Sequence, residues 1–170
     1  MLTLDRLDVQ LIRLLSRDAR LGVMELSNEL GVARNTVQTR LTRLRESGLV
    51  AGFRPEVDLA AAGVAVQAFI TLELVQGELQ SVVRSLTAIP EVMEIHATTG
   101  QADLLIRVAT RTHSELQRLI ERVVSISGVA HSNTSLSLTV PLAYRILPLL
   151  DHFTQDAGWG RSTPPPRVTE

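Results

Sequence analysis

The sequence has no cysteine and no lysine, and aromatic residues make up only 3% of its 170 positions. The absence of cysteine excludes disulfides, thiolate metal sites and cysteine nucleophiles, and fits a reducing, cytoplasmic setting. No apolar run reaches the roughly 18 to 20 residues that a membrane-spanning helix needs, so no membrane partner is expected. The opening residues, Met-Leu-Thr-Leu-Asp-Arg, do not lead from a basic stretch into an apolar one, so export is not expected. Chemistry-bearing motifs are missing too: there is no P-loop, dinucleotide fingerprint or nucleophile elbow. None of His96, His113, His131 and His152 stands at metal-ligand spacing with another ligand. No catalytic residue, metal or cofactor is expected, and an enzyme is not the reading.

What is present is a globular composition, 45% hydrophobic and 21% charged, with an uneven charge. Residues 1–54 carry nine Arg against six acids, and residues 55–150 carry six Arg against nine acids. A basic front (+3) and an acidic back (−3) point to two domains with different partners.

In the front, Leu7, Leu11, Leu14 and Leu15 recur at helical spacing and predict a helix from about Asp5 to Ser16. Val23, Leu26 and Leu30 mark a second helix that Gly31 ends. Val37, Leu41 and Leu44 mark a third, from about Arg34 to Ser47, ended by Gly48. Gly serves such ends because it tolerates positive φ. Two helices joined by a tight Gly-containing turn form a helix-turn-helix. Leu49, Val50 and Phe53 read as a short strand, which predicts a winged variant.

The outward face of the third helix carries Arg34, Asn35, Thr36, Gln38, Thr39, Arg40 and Arg43, with Arg45 beyond and no acid before Glu46. Arg can pair with guanine through two hydrogen bonds, and Asn or Gln with adenine. Thr and Arg also hold phosphates, which sets register without reading sequence. A plain solvated face would mix acids with bases, so these seven residues are the expected DNA-binding set and double-stranded DNA the expected partner.

The back reads strand (Val66–Leu74), helix (Leu79–Leu86), strand (Val92–Thr99), Gly100-Gln101 turn, strand (Asp103–Val108), helix (Leu116–Val123) and strand (Val129–Val140). This βαββαβ order is the split-βαβ, ferredoxin-like arrangement, which makes the whole chain α+β. Apolar residues on both sides of Leu104-Leu105-Ile106 suggest that the second sheet face is covered by another subunit. RNA binding through that face would need exposed aromatics, and Phe69 is the only one there. The expected domains are 1–54 (winged helix-turn-helix), 55–65 (linker), 66–140 (ferredoxin-like) and 141–170 (tail). The tail starts apolar, as for a short docked helix, and reads as disordered from Gly158.

Leu4-Asp5-Arg6-Leu7-Asp8, the stretch Leu26 to Leu49 and the turn Thr99-Gly100-Gln101-Ala102-Asp103 resemble the leucine-responsive/asparagine-responsive (Lrp/AsnC) family of prokaryotic transcriptional regulators. The resemblance covers roughly residues 2 to 140. It implies a third helix in the major groove and a C-terminal RAM-type domain that dimerises through its sheet and assembles further, often into octamers. It also implies a small effector, in the family usually an amino acid, bound between dimers near the Gly-x-x-Asp turn. Carried over by position, the effector residues are Thr98, Gly100, Gln101, Asp103 and Leu104, with Thr134 and Ser135 of the last strand facing the cleft from another subunit.

The residues themselves allow two readings of the turn. Gly100 can let a ligand approach the backbone, with free amides for a carboxylate and Asp103 for an ammonium group. Equally, Gly100 can simply make the hairpin while Asp103 ties its backbone. Three features depart from the family: Ala33 replaces the usual capping Ser, Leu104 follows the turn where an aromatic is common, and the tail is longer. The expected function is a sequence-specific, effector-modulated regulator. The alternative is an architectural protein that binds DNA without a ligand.

Overall fold

The computed structural model describes residues 3–160, and the chain falls into two units. In the first, Asp5 opens α1 (Arg6–Arg17) through a reciprocal capping box. Asp5 Oδ1 accepts from Asp8 N (3.0 Å), and Asp8 Oδ2 accepts from Asp5 N (3.1 Å), which satisfies two amides that a helix start leaves unpaired. Helix α2 (Val23–Leu30) ends at Gly31 in the left-handed region, and α3 (Arg34–Glu46) follows after Ala33. Ser27 secures the turn between them: its hydroxyl donates to Val32 O (2.6 Å) and its carbonyl accepts from Val32 N (3.2 Å). Leu7, Leu11, Leu15, Leu26, Leu30, Val32 and Val37 form the core. All but Val32, which lies in the turn between α2 and α3, are apolar positions that the helical spacing picks out.

One expectation changes here. Leu49 to Phe53 forms no strand among the described residues: a strand needs a pairing partner, and within the described residues of one chain no other strand lies against it. The start of the tail forms a short docked helix, as its apolar residues suggest. Residues 143–160 belong with the first unit, and α6 (Leu147–Thr154) packs on α1. The expected disorder after Gly158 falls from Arg161 on outside the described residues.

The second unit runs from Glu56 to Leu142. Its elements are β1 (Val66–Leu74), α4 (Leu79–Thr87), β2 (Val92–Ala97), β3 (Leu104–Thr110), α5 (His113–Val124) and β4 (Val129–Leu136). The antiparallel sheet has the order β2-β3-β1-β4, as the split-βαβ pattern requires. Alternation along β1 sends Ala68, Ile70 and Leu72 into a core with Leu104, Ile106 and Val108, under Val82 and Leu86 of α4 and Leu116, Leu119 and Val123 of α5. The other face carries Phe69, Thr71, Leu105 and Arg107, with Phe69 still 39% exposed. The last strand stops at Leu136 rather than Val140, because β1 ends its pairing there at Ala68.

Gly128 shows why one corner admits no side chain. Its φ is +97°, and a Cβ there would lie 2.7 Å from Glu78 Cβ at the start of α4. The approach lets the α5–β4 corner lie directly on α4.

Candidate nucleic-acid interface and effector turn

Helix α3 buries Val37 and Leu44 and exposes Arg34, Asn35, Gln38, Thr39 and Thr42, with Thr36 half-buried beside them. The stripe carries donors and acceptors suited to base edges and no acid. Among the described residues, Arg34 makes no ion pair. Thr42 was missed in the sequence reading. Its signal is the helical offset from Gln38 and Thr39. Ala33 supplies no side-chain cap, so the first amides of α3 remain available to an acceptor such as a phosphate.

Arg40 and Arg43 stand elsewhere. Arg40 Nη1 donates to Asp5 Oδ2 and to Asp8 Oδ1, the latter at 3.0 Å. Arg43 Nη2 donates to Asp8 Oδ2. Asp8 is fully buried, and the Arg40 side chain is only 15% exposed. The expected outward set therefore loses Arg40, whose guanidinium is taken up in binding α3 to α1. Arg43, at 38% exposed, keeps one edge toward solvent. Burial opposes ionisation of Asp5, but the Arg40 hydrogen bond, the Asp8 amide and the Arg40 charge outweigh it and hold the carboxyl below the usual range. Burial likewise works against the Arg40 charge, and the two carboxylates outweigh it and raise its pKa. Further along, the Arg45 guanidinium lies 5.7 Å from the centre of the Phe53 ring, a cation–π contact that joins the extended segment to α3.

In the second unit, the β2–β3 hairpin turns at Gly100, whose φ is +115° with open space around it. Thr98 closes the hairpin: its hydroxyl donates to Ala102 O (2.7 Å) and its amide to Asp103 O (2.9 Å). Asp103 Oδ2 accepts from Leu74 N (2.7 Å), and Asp103 N donates to Leu72 O (2.9 Å). Asp103 thus ties the turn to the end of β1, while its Oδ1 has no protein partner among the described residues. Gln101 is exposed.

Leu104 differs from expectation, because its side chain is fully buried in the helix-covered core. Thr134 pairs with Ile70 and so shares that covered face, half-buried; Ser135 pairs with Phe69 on the opposite, open face. Within one chain β1 separates both from β3 and the turn, so the structure does not gather the seven expected effector residues into one pocket. Among the described residues, no group of three His, Asp or Glu side chains is placed to hold a metal, and no helix is long and apolar enough to cross a membrane.

The AsnC-type helix-turn-helix domain matches residues 4–45, and the Lrp/AsnC ligand-binding domain matches residues 67–147. The HTH-type transcriptional regulator FL11 of Pyrococcus furiosus is 34% identical over 137 residues, covering 81% of this chain and 91% of its own. The chain belongs to the Lrp/AsnC family. Among solved structures, AsnC of E. coli superposes with a TM-score of 0.80 at 28% identity, over 86% of this chain and all of its own. A Neisseria meningitidis transcriptional regulator in complex with L-Met shares the fold, with a TM-score of 0.78 at 22% identity, over 86% and 99% of the two chains.

The two Lrp/AsnC matches take in α1 to α3 and the whole four-stranded sheet. They stop at residue 147, where α6 begins. Past its first residue, Leu147, the helix α6 lies beyond the extent of both matches.

Proposed function

We propose that this Lrp/AsnC regulator binds DNA sequence-specifically through α3 and that a small effector, an amino acid, tunes the binding. The observation that carries the DNA reading is the acid-free stripe Arg34, Asn35, Gln38, Thr39 and Thr42 on α3. Asn35 and Gln38 suit adenine and Arg34 suits guanine; Thr36 and Thr39 suit phosphate. Arg43 reaches phosphate from its exposed edge, and Arg40 acts from behind by holding the helix. Pairing of two chains through the sheet domain presents two α3 helices to successive major grooves, about 34 Å apart.

For the effector, the support is the exposed turn. Gly100 leaves its backbone open, Gln101 stands beside it, and Asp103 keeps one oxygen for an ammonium group. Thr98 holds the loop, Leu104 anchors it from the core, and Ser135 is the β4 residue whose face a second copy can meet. That a regulator of this fold holds L-Met supports an amino acid as the class. The effector acts by favouring one assembly or one tilt of the reading heads over another.

A specific observation favours the architectural alternative: Asp103 is already engaged by Leu74 N, and Leu104 is sealed in the core. Fluorescence anisotropy on DNA from upstream of the chain's own gene, against a scrambled duplex at fixed salt, separates the readings. At least tenfold preference, shifted by a pool of amino acids, is the expected result. Tight binding indifferent to sequence and to the pool would overturn it in favour of the architectural role.

A further inference from the structure

The C-terminal segment from α6 onward, beyond the extent of the family match, is seated on the helix-turn-helix by five separate contacts. Arg13 Nη2 donates to both carboxylate oxygens of Asp151, at 2.7 and 2.6 Å. The Arg6 amide donates to Gly158 O (3.1 Å), and the Arg6 guanidinium donates to Gln155 O. Trp159 packs against the leucine core of the helix-turn-helix. Gly160, at φ +90°, lies directly over the Asp5–Arg40 pair: a Cβ there would collide with Arg40 Nη2 and stand 2.9 Å from Asp5 Oδ2.

That pair joins the first turn of α1 to α3. Its strength depends on exclusion of water, since a charge pair is worth far less in solvent than when partly buried. Gly160 and the residues before it supply part of that cover. The geometry points to Leu147–Gly160 as a positioning clasp: seated on α1, it closes over the Asp5–Arg40 pair and holds α3 in its DNA-reading pose. The clasp rests on the reading of α3 given under Proposed function. Its residues touch no DNA; they act through Arg40.

Trp159 is the chain's only tryptophan, so its emission reports seating without any DNA. The test uses the full chain and the variants Asp151→Arg and Gly160→Val, with the charge-swapped double variant Arg13→Asp/Asp151→Arg as rescue. Each is measured for tryptophan emission and for anisotropy on the upstream and scrambled duplexes.

The expected result is a red shift of emission in both single variants. Preference for the upstream duplex should fall at least fivefold, while affinity for the scrambled duplex and its salt dependence hold. The double variant should restore both emission and preference. Red-shifted emission with unchanged preference would overturn the clasp, because the segment would then be packing alone. Emission unmoved in both variants would overturn it too, because the named contacts would not seat the segment. If the unaltered chain prefers neither duplex, the DNA reading fails and takes the clasp's role with it; a seated Trp159 distinguishes that failure from an unseated segment.

Discussion

The carboxylate of Asp8, fully buried in the first turn of α1, accepts hydrogen bonds from Arg43 and Arg40 on α3. One acid thus bridges two cations of α3, with Asp5 sharing Arg40, and ties that helix to α1. The same carboxylate completes the α1 capping box. Among the described residues the Nε of Arg43 is buried without a partner, so Asp8 is the main compensation for the buried edge of that guanidinium.

Asp8→Ala should therefore destabilise the protein by about 2 to 3 kcal/mol. A fully buried pair loses roughly 3 to 5 kcal/mol when one partner is removed, and the exposed edge of Arg43 reduces the loss. Urea denaturation of the variant checks this; a change under about 0.5 kcal/mol would mean that the network contributes little.

Acid should loosen the same network through Asp5. Its folded pKa lies below the usual value, so its contribution is complete above about pH 4 and fades as pH falls through the lower folded pKa. Thermal melts between pH 5 and 2 should show a smaller acid-induced drop for Asp5→Asn than for the unaltered chain. Parallel curves would contradict this.

Gln38→Ala and Arg40→Ala should separate reading from support. Gln38 is exposed, so its loss should relax preference at one base position by about 1 to 3 kcal/mol and leave stability within about 0.5 kcal/mol. Arg40→Ala should lower stability and reduce preference for the upstream duplex across all base positions, while affinity for the scrambled duplex holds, as when the C-terminal segment is unseated. Base-specific relaxation confined to Arg40→Ala would reverse the two assignments.

Asp103→Ala should abolish the response to an amino-acid effector while effector-free DNA binding persists. Loss of the bond from Leu74 N should also cost about 1 kcal/mol of stability. An unchanged effector response would remove Asp103 from the site.

Two glycines with positive φ should respond unequally to alanine. At Gly100 the added methyl meets open space, and backbone strain alone costs about 1 to 2 kcal/mol. At Gly128 the methyl also meets Glu78 Cβ at 2.7 Å, and overpacking adds about 1 to 3 kcal/mol. Denaturation midpoints should rank Gly128→Ala below Gly100→Ala.

Helix and strand order was legible wherever apolar residues recurred with a clear period. Leu7, Leu11 and Leu15 marked α1, and the alternation at Ala68, Ile70 and Leu72 marked β1. The reading face of α3 was half legible. Periodicity separates Val37 and Leu44 from the polar side, but it does not say which polar residues meet solvent and which meet another helix. The strand over Leu49, Val50 and Phe53 was misread because these residues have strand character but, among the described residues of one chain, no strand to pair with.

What the sequence by itself determined is the local and the periodic: the helices and their Gly31 and Gly48 ends, the βαββαβ order and the motifs that resemble the Lrp/AsnC family. What only the tertiary structure decided is long-range partnership. Arg40 meets Asp5 across 35 positions, Arg13 meets Asp151 across 138, and Leu104 turns inward because the pleat of β3 puts it under the helices. The physical reason is that apolar burial follows a residue's place on its own helix or strand. The partner of a charged side chain depends on which distant backbone the fold brings within a few ångströms of it.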